Sequence, residues 1–254
     1  MNTFVTKKML VLFFFLPQCL ALAENINDVN SDKIMNQLLS KDEKIHQEGK
    51  NTLFLIAEKD ISGIDKYLKY KDNWIIRYEA VSVLSSIQWK ASTNRLLEVI
   101  FQDTNPAVKA SASRSLKGRE NDITKDEILK LLEMDDTDVI RGTLEVIQKI
   151  TIDEPILNSL SKKLEDKRWY IRTDVAQFLS KAEGIATETK VNLILNAINE
   201  ICENPLSIEQ TKDERMCLPL TEHIKSLYRS ALLNIGDSAI LPLEKRVGKE
   251  KNEF

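Results

Sequence analysis

The chain has 254 residues, 43% of them hydrophobic and 30% charged, with a formal net charge of −3. Seven glycines, six prolines and little β-branched alternation argue against a sheet protein and for an all-α one. The mild acidity argues against sequence-independent nucleic-acid binding, which rests on Lys and Arg neutralising phosphates.

Lys7 and Lys8 precede an apolar run from Met9 to Leu16, which is followed by Pro17 and by Ala21-Leu22-Ala23. A charged start, a short apolar core and a small-x-small cleavage site predict a secretory signal peptide over 1–23, cut between Ala23 and Glu24. As a helix, Met9 to Ala23 would span roughly 22 Å, short of a hydrocarbon core about 30 Å thick, which favours cleavage over a membrane anchor. Lipoprotein processing at Cys19 would want small residues directly before it, and Leu16-Pro17-Gln18 stands there instead. Removing the leader takes away Lys7 and Lys8 and leaves a charge of −5. The polar stretch 24–31 is expected to be disordered.

From Asp32 onward the elements come in pairs. The first pair is 32–40 with a helix capped by Asp42 and running to about Glu58. The second is 61–70 with a helix capped by Asn73. The third is 93–101 with a helix capped by Asn105, opened by Pro106 and stopped by Gly118; proline suits the first turn, whose N–H groups lack intrahelical partners. The fourth opens on Thr124-x-x-Glu127, a capping box, and its second helix is capped by Asp136. The fifth pairs 155–164 with 170–181, with Asp166 expected as the cap and Gly184 as the stop. The sixth breaks the period: a long helix over 187–203, an inserted polar loop over 203–217, a helix over 222–235 ending at Gly236, and a short helix over 239–247 capped by Asp237. Residues 250–254 form a charged tail, and the ordered region is expected to span 32–249.

The second helices share one template. The aliphatic residue three after the cap recurs as Ile45, Ile76, Val108, Val139 and Ile171, at intervals of 31, 32, 31 and 32 residues. Four later stand Gly49, Ala80, Ala112, Thr143 and Val175; four later again, Leu53, Leu84, Leu116, Ile147 and Leu179. A self-similar period of this length predicts about six stacked helix pairs sharing one core, since no pair can bury its own apolar face.

The runs Asp72-x-x-x-Ile76-Arg77-x-x-Ala80-x-x-x-Leu84, Asn105-Pro106-x-Val108-Lys109-x-x-Ala112-x-x-x-Leu116 and Asp166-x-x-x-x-Ile171-Arg172, with the junction Ile235-Gly236-Asp237-Ser238-Ala239, resemble the HEAT repeat family in its short bacterial form. The likeness covers roughly 32–249. It departs where Ile140 takes the arginine position, with Arg141 one later, and where His46 takes it in the first repeat. The resemblance implies a right-handed α-solenoid binding macromolecules on its concave face. It also implies that Arg77 and Arg172, with Asp72, Asp103 and Asp135, form a ladder between neighbouring repeats rather than a recognition stripe.

Trp74, Tyr78, Trp169 and Tyr170 are the candidate binding residues: with Trp89 they concentrate at the ends of second helices, and aromatics of this kind anchor interfaces, the competing reading being that one of each pair is core between adjacent repeats. Cys202 and Cys217 flank the insertion of an exported chain and are expected to form a disulfide. His46 and His223 lie in different repeats without a partner at metal-ligand spacing, so no metal or other cofactor is expected. No catalytic site is legible. The expected function is an exported scaffold or adaptor for a protein partner in the cell envelope, periplasmic or else secreted, neither membrane-spanning nor bound to nucleic acid. The alternative is a lyase-like or ligand-handling HEAT-repeat enzyme, which the leader opposes because such lyases work in the cytoplasm; repair of alkylated DNA fails on address and charge.

Overall fold

A computed structural model describes the backbone of residues 31–203 and 214–250, and the side chains of 31–200 and 221–246 within them. The predicted signal peptide, its Ala23–Glu24 junction, residues 24–30 of the polar 24–31 stretch, residues 204–213 of the 203–217 insertion and all but the first residue of the 250–254 tail lie outside the described residues, as do the side chains of Cys202 and Cys217.

All regular structure among the described residues is helical. In chain order the helices are α1 (Ser31–Leu38), α2 (Glu43–Lys59), α3 (Asp65–Leu68), α4 (Trp74–Ser85), α5 (Lys90–Gln102), α6 (Pro106–Arg114), α7 (Lys125–Glu133), α8 (Thr137–Ile147), α9 (Glu154–Leu164), α10 (Trp169–Lys181), α11 (Thr187–Glu203), α12 (Glu214–Ile235) and α13 (Ile240–Glu250). Short 3-10 turns at Ile61–Ile64, Glu120–Asp122 and Gly236–Ala239 complete them.

Side chains set the starts. Asp42, Asn73, Asn105 and Asp136 each accept first-turn N–H groups of the helix they precede, which otherwise have no partner. Thr124 and Glu127 make the reciprocal capping box at α7. Gly118, Gly184 and Gly236 take positive φ, the conformation in which glycine alone has no Cβ penalty.

The described residues divide into two compact units between Ser115 and Leu116. In the first, α2 packs on α1 and on α4, and α6 packs on α4 and α5. In the second, α8 packs on α7, α10 on α8, α9 and α12, and α11 on α12. In both, a second helix therefore touches its own first helix and another second helix. The periodic positions form the cores: Ile76, Val108, Val139 and Ile171, the small or β-branched set from Gly49 to Val175, and the five from Leu53 to Leu179 are all buried. Gly49 is required by close approach, since a Cβ there would lie 2.8 Å from Gln37 Cβ and 3.1 Å from the Leu38 backbone nitrogen. Alanine improves helix propensity by about 1 kcal/mol over glycine, whereas overpacking costs about 1–3 kcal/mol. Gly49→Ala is accordingly expected to lower the urea midpoint of unfolding rather than raise it.

Several expectations are corrected. Ile45 is 42% exposed, unlike its four counterparts; it lies beside the polar Asp32, Asn36 and Ser40, and no described apolar element covers it. The segment 61–70 is a 3-10 turn continued by the four-residue α3. Asp166 does not cap α10. Its carboxylate takes the N–H of Arg168 at 2.9 Å and the Arg168 guanidinium at 2.8 Å, and α10 begins after Arg168 with no side-chain cap. Helix α12 starts at Glu214 rather than near Glu222, with Pro219 in its second turn; the backbone bond that proline forgoes is one among many in 22 residues. Asp237 sits inside a 3-10 turn, and the last helix begins only at Ile240.

Candidate functional site

Most charged residues at the repeat positions are fasteners between helices. Arg77 on α4 grips Asp103 with Nε at 2.7 Å from Oδ2 and Nη2 at 3.0 Å from Oδ1, while Nη1 donates to the Tyr70 carbonyl at 2.9 Å. The Asp103 side chain is only 5% exposed and also accepts the Asn105 N–H at 2.8 Å. Burial alone would push the Asp103 carboxyl up, but the Arg77 and Asn105 hydrogen bonds and the Arg77 and Lys109 charges outweigh it and hold the pKa below the usual carboxylate range. Arg95 holds Asp65 at 2.6 and 3.1 Å, and Lys69 holds Glu98 at 3.0 Å. The groove of about 470 Å³ bordered by Arg77, Arg95 and Lys69 thus has these three cations already satisfied.

In the second unit Arg168, not Arg172, reaches Asp135, at 3.0 Å, and also holds Asp166. That hydrogen bond holds the Asp166 carboxyl below its ordinary value. Asp72 is exposed. The ladder expected from sequence is therefore found at Arg77–Asp103 and is displaced to a neighbouring arginine at Asp135.

The aromatic candidates fall into two groups. In the first unit Trp74 is 44% exposed and meets Tyr78 edge-on, with ring centroids 6.3 Å apart and planes at 83°. In the second unit Trp169 and Tyr170 open α10, half-buried and perpendicular, with centroids 5.7 Å apart. His223 of α12 stands against Trp169 at 6.3 Å, and the Arg141 guanidinium of α8 lies 5.6 Å from the centre of the Tyr170 ring. Arg141 is positioned by Asp174 of α10, at 2.6 Å. Three second helices thus combine an indole, a phenol, an imidazole and a guanidinium in one cluster, the residue types that anchor protein interfaces.

No protein-family model matches the chain, and no curated protein matches it in sequence.

Of this cluster, Trp169 and Tyr170 are predicted from sequence, whereas Arg141 and His223 are not. His223 lies beyond the insertion, where the 31-residue period no longer carries information. Arg141 stands one residue beyond the place that Arg172 holds in its repeat, which Ile140 occupies, so the period does not single it out.

His46 is not near His223 in sequence or in unit. Its Nε2 lies 3.4 Å from the buried Glu79, which Lys50 also reaches at 3.2 Å, and this contact ties α2 to α4. Among the described residues no group of three or more His, Cys, Asp or Glu is placed to hold a metal ion, and no helix is long and apolar enough to cross a membrane.

Two buried polar atoms at the α10–α12 contact have no partner among the described residues: Arg172 Nε and the Tyr228 hydroxyl. Burial, in the main, pushes the Tyr228 pKa from 10.0 up to about 12. Because the folded value is the higher one, the associated stability is present below pH 10 and is lost as pH rises through 12. Tyr228→Phe is therefore expected to flatten the fall in urea midpoint between pH 10 and pH 12 and, by removing a buried hydroxyl without a partner, to raise the midpoint at neutral pH rather than lower it.

Proposed function

We propose that the chain is an exported HEAT-type repeat protein: a right-handed solenoid of about six helix pairs that acts as a scaffold for a protein partner in the cell envelope, without catalysis of its own. The supports for the architecture are the 31–32-residue period, the burial of its repeated positions, and second helices that pack on one another within each unit. The observation that carries the binding role is the cluster of Trp169, Tyr170, Arg141 and His223 on α8, α10 and α12. Stacked second helices offer a concave face, and half-buried aromatics bring large contact area at small entropic cost. The leader supports a periplasmic address, with secretion as the alternative.

Crosslinking in intact cells, with wild type and Trp169→Ala/Tyr170→Ala compared side by side, tests this reading. A specific crosslinked partner lost in the double variant is expected; a partner retained equally in both would remove the surface from this cluster.

In the same reading Cys202 and Cys217 close the insertion, which a disulfide over a loop of this length stabilises by about 3 kcal/mol in the chain-entropy model. Alkylation of denatured, unreduced protein from the exported fraction is expected to label neither cysteine. Labelling of both would remove the bridge.

A further inference from the structure

Arg77 and Arg172 hold the same place in their repeats, each directly after the buried anchor aliphatic, Ile76 or Ile171. Arg77 shows what that place grips: the Asp103 carboxylate, bound through two nitrogens at 2.7 and 3.0 Å. Asp103 follows Arg77 by 26 residues, but 26 residues after Arg172 the chain has Ile198. Arg172 is nevertheless 6% exposed, and its Nε has no partner among the described residues. The carboxylate it does approach, Glu200, is 3.8 Å from Nη1, and the Glu200 side chain is 40% exposed. Within electrostatic reach of Arg172, the fully buried Tyr228 hydroxyl is a second donor without an acceptor. A buried guanidinium Nε and a buried phenol hydroxyl that both lack an acceptor are costly, because neither atom recovers in the fold the hydrogen bond it made to water.

The geometry points to a carboxylate-binding site formed by Arg172 and Tyr228 at the contact of α10 and α12, in which an incoming carboxylate takes the role that Asp103 plays for Arg77. The carboxylate belongs to a small organic anion or to the C-terminus of a polypeptide. Glu200 is the group to be displaced: it is held loosely, it repels an incoming anion, and its exposed end marks the side open to solvent. The proposal does not rest on the aromatic cluster put forward above as the partner surface, although both use α10 and α12.

Full-length protein carrying 15N-labelled arginine gives a direct readout, the Nε–H resonance of Arg172, assigned by its loss in Arg172→Lys. Three probes are titrated at constant ionic strength: sodium acetate, a short neutral peptide with a free C-terminus, and the same peptide amidated. A saturable shift is expected with acetate and with the free peptide, and none with the amidated peptide or with chloride. Equal affinities for acetate and free peptide assign a small anion, and a markedly tighter peptide assigns a chain end; both support the site. Tyr228→Phe should weaken binding roughly tenfold, the loss of one hydrogen bond to a charged group. Glu200→Gln should strengthen it several-fold by removing the competing charge. Absence of saturation at tens of millimolar, an amidated peptide as effective as the free one, or Glu200→Gln binding no tighter than wild type would overturn the proposal. The last criterion holds even if Tyr228→Phe fails to fold.

Discussion

Asp103→Ala should destabilise the chain by roughly 3–5 kcal/mol, the cost of stranding a charge that was buried with its partner. Three hydrogen bonds make the effect large: two from Arg77 and one from the Asn105 N–H converge on a carboxylate that is 5% exposed. Arg77 would be left with only the Tyr70 carbonyl. The double variant Arg77→Met/Asp103→Leu should recover much of the loss, since replacing both members of a buried pair by apolar groups removes the desolvation cost as well as the attraction. Urea unfolding of the three proteins measures this, and a double variant as unstable as Asp103→Ala would count against the ion-pair account. The pH dependence has a definite sign. The Asp103 pKa is depressed in the folded protein, so its stabilisation is present above the unfolded carboxylate range near pH 4 and disappears as pH falls through the folded value. Asp103→Asn should therefore show a shallower acid transition than wild type.

The second large effect concerns binding. Trp169→Ala is expected to weaken the proposed partner complex by about thirtyfold or more, the scale of an interface residue contributing some 2 kcal/mol. The indole stands between the Tyr170 ring at 5.7 Å and His223 at 6.3 Å, so its removal takes away a contact and loosens two neighbours. Arg141→Ala should cost less, because its guanidinium is half-exposed and already engaged by Asp174 at 2.6 Å. Affinities measured with the crosslinked partner decide the matter: equal dissociation constants for wild type and Trp169→Ala would place the interface elsewhere, with the exposed Trp74–Tyr78 pair of the first unit as the next surface to alter.

The residues themselves determined the helical class, the starts of α2, α4, α6, α7 and α8, and the identity of the core. Each of these is a local or periodic matter: Asx and Thr side chains satisfy first-turn N–H groups only a few residues away, and a 31–32-residue repeat brings the same apolar position back to the same environment. Tertiary structure decided what depends on a neighbour distant in sequence. Ile45 matches the anchor template as well as Ile76 does, yet it is exposed because no described apolar element lies over it. Arg172 matches Arg77, yet it lacks a close carboxylate because the sixth pair abandons the spacing that supplies Asp103. Arg141 and His223 join Trp169 and Tyr170 only through the packing of α8 and α12 on α10. A side chain's chemistry can be read from the chain, but its desolvation and its partners are set by whichever helices close around it.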